Sequence, residues 1–186
     1  RHDLVREIVY DSMPPVLRSG LHLDIGRRLL VLDVALQDIT AHFMRGADLG
    51  DAEAASVLRQ AAREMGRGAP ATATQLLERA LSLLPSDHED YEACRGELIE
   101  SYVFSAELDR SSTLAEEVLS SAPSPDVELG LRNARSQVFF LRGDARRAAA
   151  EFQAMVPLVA GQPREAVLLA DAAVSAMFAI DLARAK

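Results

Sequence analysis

Residues 71–85 constrain the fold more than any other stretch of this chain. They read Ala-Thr-Ala-Thr-Gln-Leu-Leu-Glu-Arg-Ala-Leu-Ser-Leu-Leu-Pro, and the apolar residues recur at the spacing of one helical face. Ala73 and Ala80 leave room for a second helix to approach closely, and Pro85 stops the helix from continuing. The stretch therefore predicts an amphipathic helix that needs a neighbouring helix. The inward positions are Leu76, Leu77, Ala80, Leu81 and Leu84.

The rest of the chain largely repeats this pattern. Residues 46–51 contain two glycines and acidic residues that can cap a following helix, so they mark the clearest boundary. Beyond it, the pattern predicts helix pairs at 52–66 with 70–84, 88–106 with 111–121, and 126–141 with 145–159, followed by an unpaired helix at 163–183. The second of these pairs departs most from the pattern, because Val118 stands where the closing alanine is expected and Ser111 occupies the earlier small position.

Several residues predict where helices begin. Ser86 and Glu89 have the spacing of a capping box, Ser124 precedes a proline at the first helical position, and Asp144 follows a glycine as an N-cap.

The residues Ala73, Leu77, Ala80 and Pro85 resemble the second helix of a tetratricopeptide-type repeat. The interval between Pro85 and Pro123 is 38 residues, a little longer than the roughly 34 residues of that repeat. The resemblance implies an all-α fold in which antiparallel helix pairs stack as a tetratricopeptide-like right-handed superhelix.

Composition limits the partners that the chain can have. The net charge of −8 arises entirely after residue 47, where 14 basic residues face 22 acidic ones, so we expect no direct binding of nucleic acid. The most apolar stretch, residues 166–183, is interrupted by Asp171, Ser175 and Asp181, and favours a buried helix over a membrane span. Cys94 is the single cysteine, which indicates a buried structural thiol and a reducing cytoplasm.

No motif indicates catalysis or metal binding. His88 begins a zincin-like pattern, but Glu92 stands where the second histidine is required, and an acidic helix start is the better interpretation. His22 and His42 lack further ligands at metal-binding spacing and are interpreted as helix-packing residues. The chain contains neither a Gly-x-Ser-x-Gly elbow nor a phosphate-binding loop, so we expect no enzyme activity and no cofactor in this segment.

The opening residues resemble a known family. Residues 1–10, Met13-Pro14-Pro15, Leu21-His22 and residues 41–45 resemble large ATP-binding transcription regulators of the LuxR type, in the same signal-transducing NTPase class as MalT-like activators of bacteria. The resemblance implies that residues 1–12 are the last helix of a nucleotide-binding module, residues 13–47 a helical connector, and residues 48–186 the repeats. ATP or ADP would bind elsewhere in the parent protein, and a helix-turn-helix would bind DNA there. His2 and Asp3 resemble a motif with which related NTPases sense a bound diphosphate.

Repeats of this type imply a concave groove that is lined by the first helix of each pair and receives a protein or a small effector. The register predicts that the groove-lining residues are Leu58, Ala62, Met65, Gly96, Glu100, Phe104, Asn133, Gln137 and Phe140. A solvated face with incidental polar residues is the alternative. The chain is then either the sensor and coupling arm of the cytoplasmic regulator or part of a stand-alone repeat adaptor without a nucleotide switch.

Two surface features lead to further expectations. Twelve acidic residues lie within residues 87–128, and we expect part of this acidic face to contact the arginine-rich residues 129–147. The helix at 163–183 has apolar residues around more than one side, so we expect self-association through it. These residues are Val167, Leu168, Val174, Met177, Phe178 and Ile180.

Overall fold

The computed structural model describes the backbone of residues 2–184 and the side chains of residues 7–178. Over residues 2–184 the chain forms α-helices and short turns without a β-strand, which confirms the predicted all-α class. The helices are α1 (His2–Ser12), α2 (Pro15–Val31), α3 (Leu36–Gly46), α4 (Ala52–Met65), α5 (Pro70–Leu83), α6 (Tyr91–Phe104), α7 (Leu108–Ser120), α8 (Pro125–Leu141), α9 (Ala145–Met155) and α10 (Arg164–Arg184).

The helices pack as adjacent pairs within two compact units. Unit 1 contains the residues up to Cys94, where α2 packs on α3, α3 on α4, and α4 on α5. Unit 2 contains the residues from Arg95, where α7 packs on α8, α8 on α9, and α9 on α10. Neighbours along the chain are therefore neighbours in space, as a helical-repeat sequence predicts.

The α4–α5 pair has the close packing that its alanines predict. Ala73, Leu77 and Ala80 of α5 are all buried, and they share their face with Leu76. The buried face of α4 is also rich in alanine, including Ala54, Ala55, Ala61 and Ala62. Small side chains bring the two helix axes together, while each buried leucine contributes about 1.5–3 kcal/mol through its removal from water.

Some of the predicted helix starts are confirmed. Asp51 and Asp144 cap α4 and α9, each accepting a hydrogen bond of 3.1 Å from the backbone N–H three residues later. Proline occupies the first turn of α8, but the Ser124 side chain makes no capping hydrogen bond.

The predicted capping box at Ser86 and Glu89 is wrong, and the acidic helix start lies later than His88, with Glu92 in the first turn of α6. Helix α6 begins at Tyr91, after a turn in which the Tyr91 N–H donates to the His88 carbonyl at 2.9 Å. The Asp90 N–H donates to His88 Nδ1 at 3.1 Å, and the Asp90 carboxylate lies 2.7 Å from the Arg59 guanidinium. The hydrogen bond from Arg59 lowers the pKa of Asp90. These contacts hold the segment as a turn and delay the helix.

Helix α9 ends earlier than the predicted position 159. Val156–Val159 forms a separate 3-10 turn, because Pro157 has no N–H to continue the α-helical hydrogen bonds.

Two glycines bring α2 and α3 unusually close. A Cβ on Gly26 would lie 3.3 Å from the ring of Phe43, whose side chain is fully buried. A Cβ on Gly46 would lie 2.5 Å from the Leu23 backbone nitrogen and 2.7 Å from the Ser19 carbonyl oxygen. At Gly46 the end of α3 therefore meets the backbone of α2, while Gly26 leaves room on α2 for the Phe43 ring.

Unit 2 has its own apolar core, formed by α6, α7 and α8. It consists of Ile99, Val103, Ala115, Val118, Leu131, Ala134 and Val138. The unusual Ser111 is buried, and its hydroxyl donates to the Ile99 carbonyl at 3.1 Å. The second helix pair therefore buries both Ser111 and Val118 despite its departure from the pattern. In unit 1, Cys94 is fully buried, which confirms the expected structural position of the thiol.

Helix α10 packs on α9 with small side chains. Ala172 and Ser175 are its buried residues among those with described side chains, so the interpretation of this apolar stretch as a buried helix is wrong. The alanine-rich α9 leaves space only for a helix that approaches with a narrow face. The outer flank of α10 exposes Val167, Leu169, Val174, Met177 and Phe178. None of the described helices has the length and apolar character to cross a bilayer.

Candidate binding groove

A largely apolar groove lies in unit 2, where α6, α8, α9 and α10 meet. Its volume is about 540 Å³, which lies within the roughly 300–1,000 Å³ range typical of small-molecule sites. The lining residues are Val103, Phe104, Ser136, Gln137, Phe140, Leu141, Phe152, Asp171, Val174 and Ser175.

Helix α8 supplies the floor of the groove because its two sides have different roles. Leu131, Ala134 and Val138 turn into the core of unit 2. Gln137 and Phe140 project from another side, where 54% of Phe140 is exposed to solvent. The Phe140 and Phe178 rings meet edge to face, with centroids 6.3 Å apart, so the aromatic surface continues onto α10.

Polar groups are few and lie at defined places in the groove. Ser136 and Ser175 are buried serines, and the Ser136 hydroxyl donates to the Asn133 carbonyl at 2.7 Å. Gln137 contributes an amide that can both donate and accept hydrogen bonds. Among the described lining residues, Asp171 contributes the only ionisable side chain. An apolar cavity with a few convergent polar groups is the usual form of a ligand site.

Three of the predicted groove residues meet in this cavity, namely Phe104, Gln137 and Phe140. Asn133 lines a second cavity of about 460 Å³ in the same unit, together with Asp126 and Arg164. Glu100 is an exposed residue and lines neither cavity. Partial desolvation of its carboxyl group, and then the negative charge of Glu97, raise the pKa of Glu100. Phe104, Gln137 and Phe140 thus line a cavity whose other walls come from α9 and α10, and their role in partner binding stays a prediction.

The predicted groove positions in α4 are wrong for Leu58 and Ala62. Leu58 is fully buried and Ala62 is 3% exposed, because both lie on the alanine-rich face that packs inside unit 1. Met65, at the end of the same helix, is partly exposed. Gly96 of α6 is also partly exposed and lines neither cavity described above.

Sequence reasoning missed the contributions of Phe152, Asp171 and Val174. These residues belong to α9 and α10, which are second and unpaired helices in the repeat scheme and were not expected to line the groove. The high apolar content of residues 163–183 was the available signal for an apolar surface. The packing of α10 on α9 was needed to show which of these residues face the groove.

The expected contact between the acidic face and the third pair is confirmed by an ion pair between Asp109 and Arg142. Arg132 also pairs with Glu128 of the acidic run at 2.7 Å, and both Arg132 and Arg135 bind Glu151 of α9 at 3.1 Å, although Glu151 lies outside that run. Burial alone would lower the pKa of Arg132, but hydrogen bonds to Glu128 and Glu151 raise it above its ordinary value. Glu151 is itself 7% exposed, so this cluster is structural.

A second polar cluster joins α1, α2 and α3 in unit 1. His22 Nδ1 lies 3.1 Å from His42 Nδ1, and His22 Nε2 lies 2.8 Å from the Tyr10 hydroxyl. One histidine must donate to the other across the short Nδ1 to Nδ1 distance, so the pair cannot hold two protonated rings in this arrangement. Desolvation, then His42 and Arg45, lower the pKa of His22. The two histidines are packing residues as expected, and they contact each other.

The described side chains contain no group of three or more His, Cys, Asp or Glu residues arranged to hold a metal ion. The proposed nucleotide-sensing residues His2 and Asp3 lie outside the residues whose side chains are described, so that role stays a prediction.

The fold defines the chain as an all-α protein of paired, adjacent helices. No protein-family model matches the sequence, and no curated protein or solved structure is significantly similar to it.

Proposed function

We propose that this chain is the helical-repeat sensor and interaction segment of a bacterial ATP-dependent transcription regulator of the LuxR type. Its binding site is the groove of unit 2, and occupancy of the groove is coupled to the NTPase switch of the parent protein. The groove carries the proposal, because exposed aromatic residues and convergent polar groups surround one cavity of ligand size. The assignment to the regulator class comes from the resemblance of residues 1–10 and of the short motifs that follow them.

Binding in the groove is tested with Nile red, a neutral apolar dye whose fluorescence rises in apolar sites. Phe140 lines the groove, so Phe140→Ser should weaken dye binding several-fold. Met177→Ser is the matched control, because Met177 is 66% exposed on α10 but does not line the groove. Equal dye affinity in wild type and Phe140→Ser would contradict the assignment of the site.

The coding sequence on both sides of this segment distinguishes the regulator from a stand-alone adaptor. A phosphate-binding loop upstream and a helix-turn-helix downstream are expected for the regulator. A reading frame with neither would leave the groove as the site of an adaptor protein.

A further inference from the structure

Asp171 is the one charged residue among the described residues that line this largely apolar groove. The surrounding lining supplies three phenylalanine rings, from Phe104, Phe140 and Phe152, and no basic side chain. Among the residues with described side chains, Asp171 has no basic partner within ion-pair distance. The groove thus presents a negative charge that none of the described basic side chains neutralises there.

The arginines of the third helix pair are occupied on another surface. Arg135 and Arg147 lie over the Phe139 ring, at 5.8 Å and 5.6 Å from its centroid. They line a separate cavity of about 260 Å³ together with Glu151. Their positive charge is therefore directed to a different site from Asp171.

The aromatic rings favour the same ligand charge as the carboxylate does. The face of a phenylalanine ring carries negative electrostatic potential, and it attracts an ammonium group that lies within about 6 Å. A carboxylate and three aromatic rings around one cavity together favour a cation over an anion. The apolar remainder of the lining requires that most of the ligand be hydrocarbon.

We propose that the groove binds a small organic amine, in which a protonated nitrogen contacts Asp171 and an aromatic or aliphatic body lies among the phenylalanine rings. This inference rests on the proposed function, since it names the class of effector that the groove receives. Gln137 and the buried hydroxyl of Ser175 lie in the same lining and can orient a polar substituent.

Three probes of nearly equal size separate the effect of charge from that of shape: 2-phenylethylammonium, neutral 2-phenylethanol and anionic 3-phenylpropionate. Their dissociation constants are measured by titration of the whole chain at low salt and by displacement of Nile red. The ammonium compound should bind on the order of tenfold more tightly than the alcohol, as expected for one exposed ion pair supplemented by cation–π contact. The carboxylate should bind most weakly.

Two variants locate the charge that is responsible. Asp171→Asn keeps the shape of the groove and should reduce the preference for the ammonium compound to about twofold or less. Asp48→Asn removes the same charge from an exposed position in unit 1 and should leave the preference unchanged. Circular dichroism confirms that both variants fold.

Each other outcome contradicts a defined step. The amine proposal is overturned if the ammonium compound and the alcohol bind equally, or if the preference survives in Asp171→Asn. It is also overturned if no probe displaces bound Nile red. In each case the groove remains the binding site. Failure of Phe140→Ser to affect Nile red would overturn the proposed function itself.

Discussion

Substituting Gly46 tests how tightly α2 and α3 pack. An alanine Cβ there would lie 2.5 Å from the Leu23 nitrogen and 2.7 Å from the Ser19 oxygen, whereas ordinary contacts begin at 3.4 Å. Both obstructing atoms belong to the backbone, so no side-chain rotation can relieve the overlap. The end of α3 must move away from α2 by roughly 1 Å, as in other overpacked cores, where the cost is typically about 1–3 kcal/mol.

The movement has a second cost, because Phe43 lies on the same side of α3 and is fully buried. Separation of the helices weakens its dispersion contacts. We therefore expect Gly46→Ala to lower the free energy of unfolding by about 2–3 kcal/mol, measured by urea denaturation followed at 222 nm.

Gly20→Ala is the matched control in the facing helix. Gly20 lies within α2, and no atom lies within 4 Å of a Cβ built there. Alanine should raise the free energy of unfolding by about 0.5–1 kcal/mol at this position, because it restricts the unfolded chain more than glycine does. The reasoning is refuted if Gly46→Ala is as stable as Gly20→Ala.

Two further predictions concern pH and assembly. The pKa of His22 is lowered on folding, so the unfolded chain binds a proton there at higher pH; stability should be full above pH 6.5 and fall as the pH drops below it. Urea midpoints between pH 7.5 and 5 should therefore decline more steeply for the wild type than for His22→Gln, and equal slopes would contradict this. The exposed flank of α10, which includes Met177 and Phe178, should drive self-association, which light scattering at micromolar concentration detects and a monomer would contradict.

The sequence predicts local structure well where one residue has one physical consequence. Asp51 and Asp144 cap helices because their carboxylates accept hydrogen bonds from backbone N–H groups that have no acceptor within the first turn of the helix. The α5 stripe of Ala73, Leu77 and Ala80 is buried because its apolar period leaves it a single face to bury.

Features that depend on the meeting of two helices could not be predicted in this way. Leu58 lies on the apolar face of α4, and the sequence alone could not show that this face packs inside unit 1 instead of lining a groove. The contact between His22 and His42 depends on how closely α2 approaches α3. Gly46 allows that close approach, but the sequence does not show which backbone atoms of α2 face it. The Glu151 cluster likewise required the packing of α9 on α8.

The attachment of α10 through small side chains links folding to recognition. Asp171, Val174 and Ser175 of α10 form one wall of the groove, and Ala172 and Ser175 are the buried residues of this helix among its described side chains. Whenever α10 detaches locally, the cavity ceases to exist, so a ligand can bind only the docked form. By mass action, an occupied groove would hold α10 in place and slow hydrogen exchange of its amides in proportion to ligand concentration. A ligand in the groove would then be detected, by any segment that contacts α10, as a more stable packing of α10 on α9.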